Sequence, residues 1–259
     1  MNRFDEIFNK KAFISFITCG DPDLDSTIVF VDKMIEAGVS LIELGIPFSD
    51  PIAEGEVISE ADIRALKSKT TTDKIFDAVK KIRLKHPSFP LIFMTYANPV
   101  YSYGYDKFFK KCQELNMLGA IIPDLPYEEH DEAATVAKKY DQTIISMIAP
   151  TSEDRIEKIA KQAEGFIYLV SSLGVTGMRD TFSSNLDEIV KKIKEFTKTP
   201  VAIGFGIKTE EQAYNMAKLS DGAIVGSAIV SIIAKYGREA APYIYEYSKK
   251  MVDACSKAN

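Results

Sequence analysis

Along the chain, short continuous runs of apolar and β-branched residues alternate with longer segments whose apolar positions recur at helical spacing. Eight such runs stand out: Phe13 to Ile17, Leu41 to Leu44, Leu91 to Met94, Ala120 to Ile122, Thr143 to Ile148, Phe166 to Val170, Val201 to Ile203 and Ala223 to Val225. The segments between them carry helical stripes, such as Ile28, Val31, Met34 and Ile35, then Ile75, Val79 and Ile82, then Ile156, Ile159 and Ala160. Strands buried on both faces read as unbroken apolar runs, and eight strand-helix units close naturally into a parallel barrel. The pattern therefore predicts an α/β fold, a single (β/α)8 TIM barrel domain over residues 1–259. An extra N-terminal helix precedes it, and a short extra helix, Ser227 to Tyr236, follows strand 8. An open doubly wound sheet is the alternative, but no GxGxxG follows the first run.

In such a barrel the chemistry lies at the C-terminal ends of the strands, which directs attention to Cys19, Glu43, Tyr96, Asp124, Ile148, Ser171, Gly204, Gly226 and their loops. Alternation along the second strand places Val39, Leu41 and Glu43 on one face. If that face points inward, Glu43 loses water, its pKa rises, and it can both give and take a proton near neutral pH. The bland alternative is a Glu neutralised by a buried base, yet none of the eight runs contains Lys or Arg. Glu54 and Asp50 sit in the following loop, where spacing alone favours solvated charges; Pro47 and Pro51 stiffen it by fixing φ.

Two Gly-centred turns, Gly204-Phe205-Gly206 and Gly226-Ser227, fall after strands 7 and 8. Ser227 can cap the short helix and Gly237 can end it. Loops at these two places, with the N-terminus of a short helix, commonly bind phosphate through backbone N–H groups, although tight turns alone would also use glycine. The stretch from Ser171 to Ser184 contains GVTG and is long for a strand-helix connection, which makes it a candidate lid with Gly174 and Gly177 as its pivots. Tyr168 and Phe16 are candidates for an apolar wall, although barrel packing explains both equally well.

Composition narrows the chemistry. The formal net charge of -5, with no dense Lys/Arg block, disfavours nucleic-acid partners. Three widely spaced cysteines without a CxxC pair fit reduced thiols. The charged N-terminus has no signal-peptide core, and no apolar run reaches the roughly 18 residues of a membrane span. A soluble cytoplasmic protein is expected. No Lys stands at a strand end for imine formation, and the only histidines, His86 and His130, lie in or beside helical segments, so neither an imine-forming aldolase nor a His-rich metal site is expected. Carboxylate acid/base chemistry on a phosphorylated, aromatic substrate remains.

Several separate motifs carry a family resemblance: FITCGDPD from Phe16, IELGIPFSDPIAEG from Ile42, MTYANPV from Met94, IIPDLPYEE from Ile121, Gly165 through GVTG to Arg179, GFGI from Gly204 and IVGSAIV from Ile224. Over nearly its whole length the chain resembles tryptophan synthase α subunits. The resemblance implies retro-aldol cleavage of indole-3-glycerol phosphate to indole and glyceraldehyde 3-phosphate, with no metal and no organic cofactor in this chain. It implies that Glu43 protonates the ring carbon bearing the side chain and takes the proton of the adjacent hydroxyl. Glu54 matches the second carboxylate, which acts at the ring nitrogen, and Tyr168 the tyrosine that positions Glu43 and the substrate. Thr176 matches the lid residue that engages the second acid. Gly177, Gly206, Gly226 and Ser227 match the phosphate cradle, and Phe16, Phe205 and Ile224 the walls around the indole. A pyridoxal-phosphate β subunit is the implied partner, in an α2β2 heterotetramer, with Pro47, Asp50, Pro51, the loop around Asn98 to Tyr105, and Asp124 matching the contact regions.

One loop departs from the family pattern. Glu stands at position 54 where Asp is usual, and GEVIS, Gly55 to Ser59, replaces GPxIQ. The extra methylene moves the carboxylate by about 1–1.5 Å, and a shift of about 1 Å can cost on the order of 100-fold in rate. Two alternatives therefore stand beside the lyase of an α/β complex: a weakened subunit that binds ligand and activates its partner, and a freestanding indole-producing lyase.

Overall fold

The eight apolar runs form nine strands: β1 Ala12–Thr18, β2 Leu41–Gly45, β3 Leu91–Met94, β4 Gly119–Ile121, β5 Thr143–Ile144, β6 Ser146–Ile148, β7 Ile167–Val170, β8 Val201–Gly204 and β9 Gly222–Val225. The ninth arises because the fifth run is interrupted at Ile145. The computed structural model describes residues 3–150, 155–171, 179–204 and 206–258, with residues 179–185 described by their backbone alone. The strand order is β5-β4-β3-β2-β1-β9-β8-β7-β6, and β2 through β5 and β6 through β9 pair in parallel. Each strand lies beside its neighbours in the chain, and the two ends of the order are the halves of the interrupted run. This is the (β/α)8 class; the order never reverses, so the doubly wound alternative is set aside.

The helices are α1 Leu24–Glu36, α2 Glu56–Lys67, α3 Thr72–Lys85, α4 Ala97–Tyr103, α5 Tyr105–Glu114, α6 His130–Lys139, α7 Ile156–Gln162, α8 Arg179–Phe196, α9 Glu210–Leu219, α10 Ser227–Tyr236 and α11 Ala241–Ser256. Short polar residues start several of them. Asp23 accepts from the Ser26 N–H at 2.8 Å, and Thr209 forms a capping box with Gln212. The extra helix after the last strand has the expected bounds, but Gly226 occupies its N-cap position and Ser227 is already inside it, with no side-chain cap. The expected N-terminal helix is absent among the described residues: Phe4 accepts from Ile7 and Phe8, and residues 3–8 stop at this turn. Burial of Phe4 and Ile7 secures the turn without a longer amphipathic stripe.

Contacts between Cα atoms group the chain into two compact units. The first comprises residues 1–14, 145–225 and 250–259. In its core the Phe166 ring lies 6.2 Å from that of Phe4 and 5.6 Å from that of Phe8. The second comprises residues 15–144 and 226–249 and holds a cluster of Phe76, Phe93, Tyr103, Phe108 and Phe109. Within it Asp21, 1% exposed, is gripped by the Arg64 Nε and Nη2 atoms of α2 at 2.8 Å each. Removing one partner of a buried pair strands the other charge. Arg64→Met is therefore expected to lower the free energy of unfolding by about 3 kcal/mol, read by denaturant titration; a loss below about 1 kcal/mol would mean that the pair behaves as a surface one.

Candidate active site

Glu43 occupies the middle of β2 among Leu41, Ile42, Leu44 and Gly45, all buried, and is itself 0% exposed. Its Cα is in register with Ile92 of β3. Neither carboxyl oxygen meets a hydrogen-bond partner among the described residues. Burial without a compensating cation favours the neutral form and pushes the pKa up to about 8. The sequence expectation of an unpaired, desolvated acid is what this geometry provides. Gly45 gives Phe16 its place beside this strand, since a Cβ there would lie 2.6 Å from the Phe16 ring. Phe16 packs with Ala61 and Val230, and Val57, Ile58 and Met94 border them.

The next loop carries Glu54, which is half-buried rather than the solvated charge that spacing alone favours. Its Oε2 is buried and receives no hydrogen bond from a donor among the described residues. The groups it faces are the Asp62 carboxyl of α2 and the Tyr96 hydroxyl that follows β3. Burial raises the Glu54 pKa, and contact with Asp62 and Tyr96 opposes this. The Asp62 pKa is also raised, by burial and then by the Glu54 charge. Asp62 was missed as a site residue, although the sequence marks it: Ile58, Ala61, Asp62 and Ala65 form one helical stripe, and Asp62 is its only acid. Tyr96 is buried, its oxygen accepts from the Ala53 N–H at 3.2 Å, and its ring lies 5.4 Å from that of Phe48. That bond ties the Glu54 loop to the end of β3.

The residues matched to a partner surface divide by exposure. Asp50 and Asn98 are exposed, Pro51 is half-buried and Pro47 is buried. Ile52 and Tyr101 beside them are large exposed apolar groups, 78% and 70% exposed. Asp124 has an internal task as well: its Oδ1 accepts from the Ala97 N–H at 2.8 Å at the start of α4. Gly226 and Ser227 stand at the N-terminal end of α10, where the first N–H groups of a helix lack intrahelical acceptors.

In the other unit Tyr168 lies in β7, 7% exposed, and is in register with Ala202 of β8. A Cβ on Gly204 would lie 2.5 Å from the Tyr168 hydroxyl, so glycine at the end of β8 leaves the ring its room. Gly206 has φ +78°, a conformation glycine adopts without strain, and Ile224 of β9 is buried. Thr176, Gly177 and Phe205 lie outside the described residues, as do Gly174 and the rest of residues 172–178 in the candidate lid.

Cys19, Cys112 and Cys255 are free and buried, and burial pushes each thiol pKa up, so none is a ready nucleophile. His86 Nε2 lies 2.8 Å from Asp32, a structural contact between α3 and α1. Among the described residues no cluster of His, Cys, Asp and Glu could hold a metal ion, and no helix is long and apolar enough to cross a membrane.

The family model for the tryptophan synthase alpha chain matches residues 5–256. A tryptophan synthase alpha chain of Lacticaseibacillus casei is 49% identical over 252 residues, which cover 97% of this chain and 94% of the relative. Among solved structures, tryptophan synthase subunit alpha from Legionella pneumophila str. Paris superposes with a TM-score of 0.90 at 33% identity, covering 99% of both chains. A chain of the tryptophan synthase complex from Pyrococcus furiosus gives a TM-score of 0.83 at 32% identity, covering 93% of this chain and 98% of its own.

Proposed function

Because the chain belongs to the tryptophan synthase α chain family, with the α-subunit role of a lyase in tryptophan biosynthesis, we propose that Glu43 and Glu54 carry its retro-aldol step on indole-3-glycerol phosphate. One observation supports this above the others: Glu43 is a wholly buried carboxyl without an ionic partner among the described residues, held as a neutral acid. In the first step Glu43 gives its proton to the ring carbon that bears the side chain, and Glu54 takes the proton of the ring nitrogen. In the second, the Glu43 carboxylate takes the proton of the adjacent hydroxyl. The C–C bond electrons return to the ring, a C=O forms, and Glu54 gives its proton back to nitrogen. Indole and glyceraldehyde 3-phosphate leave, and both acids regain their starting states.

The remaining assignments follow the family resemblance. Phe16, Phe205 and Ile224 contact the indole ring, and Tyr168 positions Glu43 and the substrate. Thr176 engages Glu54. Gly177, Gly206, Gly226 and Ser227 supply N–H and hydroxyl donors to the phosphate. The partner is a β subunit that holds the pyridoxal phosphate, in an α2β2 complex in the cytoplasm, and Pro47, Asp50, Pro51, Asn98 and Asp124 belong to the surface that meets it. The exposed Ile52 and Tyr101 in these same loops fit a surface that is covered on assembly.

Indole release from indole-3-glycerol phosphate, assayed with and without the β subunit, tests the reading. Turnover is expected in the complex; its absence under both conditions would refute the lyase assignment, and full activity of the chain alone would favour a freestanding lyase. The pH profile supplies a second check. Glu43 must be protonated to begin, and its pKa lies at about 8. The value of kcat/KM is therefore expected to fall about tenfold per pH unit above that point.

A further inference from the structure

Asp62 and Glu54 present an arrangement that ordinary packing avoids. Asp62 sits on α2 at 3% exposure, between Ala61 and Ala65 of the same apolar stripe. Its Oδ2 meets the Phe48 N–H only at 3.5 Å, and the nearby Thr18 hydroxyl of β1 is itself buried without a hydrogen-bond partner among the described residues. Glu54 comes within hydrogen-bonding reach of it, and the buried Glu54 Oε2 has no donor among the described residues. No cation among the described side chains relieves the pair: Arg64, two residues along α2, is engaged by Asp21 through two nitrogens. The other ionisable groups acting nearby are the Tyr96 hydroxyl and, through Tyr96, Asp124. None of these neutralises a second negative charge.

Two carboxylates in contact cannot both remain ionised; one keeps a proton and donates it to the other, in a short charge-assisted hydrogen bond. We propose that Asp62 is a positioning residue for Glu54: the two carboxyl groups share one proton, and that bond fixes the Glu54 side chain in the orientation from which it acts on the substrate. The proposal rests on the reading of Glu54 as the second acid. It also gives the longer side chain at position 54 a restraint, since a Glu has one more rotatable bond than the Asp usual in the family. The pair carries a single negative charge at neutral pH. Glu54, which also has the Tyr96 hydroxyl beside it, bears most of that charge, and the proton rests mainly on Asp62. The proton taken from the ring nitrogen makes the pair neutral, and its return restores the shared state.

Carboxyl-carbon NMR of the full-length chain, labelled in its Asp and Glu side chains and titrated from pH 4 to 10, tests this directly in the unmodified protein. Asp62 and Glu54 are expected to titrate as a coupled pair, and Glu54→Gln is expected to lower the Asp62 midpoint by more than about one pH unit. A smaller shift, or two carboxylates already ionised at pH 7, would overturn the shared proton. Turnover separates orientation from packing. Asp62→Asn keeps a donor to Glu54, so it is expected to retain indole release at pH 7 within about threefold while losing the coupled titration. Asp62→Leu, checked for native folding by circular dichroism, removes the donor and is expected to lower kcat by about tenfold or more with little change in KM. Equal losses in the Asn and Leu variants would overturn the positioning role. If the wild type shows coupling but no turnover, the retro-aldol reading fails and the proton-sharing pair stands; if turnover appears without coupling, the reverse holds.

Discussion

Glu43→Gln is expected to lower kcat for indole release by on the order of 1000-fold or more, with substrate affinity nearly unchanged. The amide keeps the shape of the side chain, and it replaces a group that is neutral at pH 7 in the folded protein, so the surroundings of a bound substrate hardly change. What disappears is the ability to release a proton to the ring carbon and take one from the hydroxyl. A single group performs both transfers, so both barriers rise together. Indole release in the complex measures kcat, and calorimetric titration of the variant with unconverted substrate measures affinity. A residual rate within about tenfold of the wild type would move the acid/base role to another residue. Glu43→Asp separates placement from chemistry, because it keeps the carboxyl and withdraws it by about one C–C bond, for an expected loss on the order of 100-fold.

Glu43 was legible in the sequence because a strand leaves little freedom. A carboxylate inside an apolar run with no basic residue in any of the eight runs has either an inward position without a partner or an edge position in water, and here it is fully buried. The strand count was legible for the same reason, apart from the break at Ile145, which no proline or glycine marks in Thr143 to Ile148. The environment of Glu54 was not legible. Its burial comes from residues 8 and 42 positions away, Asp62 on the following helix and Tyr96 after the next strand, and local spacing in a loop says nothing of them. Tyr96 was singled out as a strand-end residue, but its task of holding the Ala53 N–H, and with it the loop, depends on the tertiary arrangement. Asp124 shows the converse limit. A residue matched to a partner contact also caps the start of α4 internally, so loss of partner affinity on mutating it would mix two effects.

The same buried acid predicts a thermodynamic counterpart to the kinetic loss: Glu43→Gln should make the isolated chain more stable at neutral and alkaline pH. The folded protein holds the Glu43 proton up to about pH 8, whereas the unfolded chain releases it near about 4.3. Below the unfolded value both states are protonated, and burial carries no ionisation penalty. As pH rises through the interval the unfolded state loses its proton first, so the folded state binds more protons and stability falls, by about 1.4 kcal/mol per pH unit. By pH 7 this amounts to about 4 kcal/mol, and the decline levels off once the folded-state pKa is passed. Glutamine has no proton to release in either state, so this decline is absent from the variant. For a chain of this size, about 4 kcal/mol corresponds to a rise in Tm of roughly 8–16 °C at pH 7, with wild type and variant converging near pH 4. Thermal melts at a series of pH values read the difference between the two curves, which cancels the other carboxylates they share. A constant offset between the curves would assign the change to packing, whereas no gain at pH 8 would mean that Glu43 is ionised in the folded chain. The carboxyl that performs the chemistry is thus expected to be held at the expense of stability, and the pH at which the two curves separate marks where its proton is retained by the fold alone.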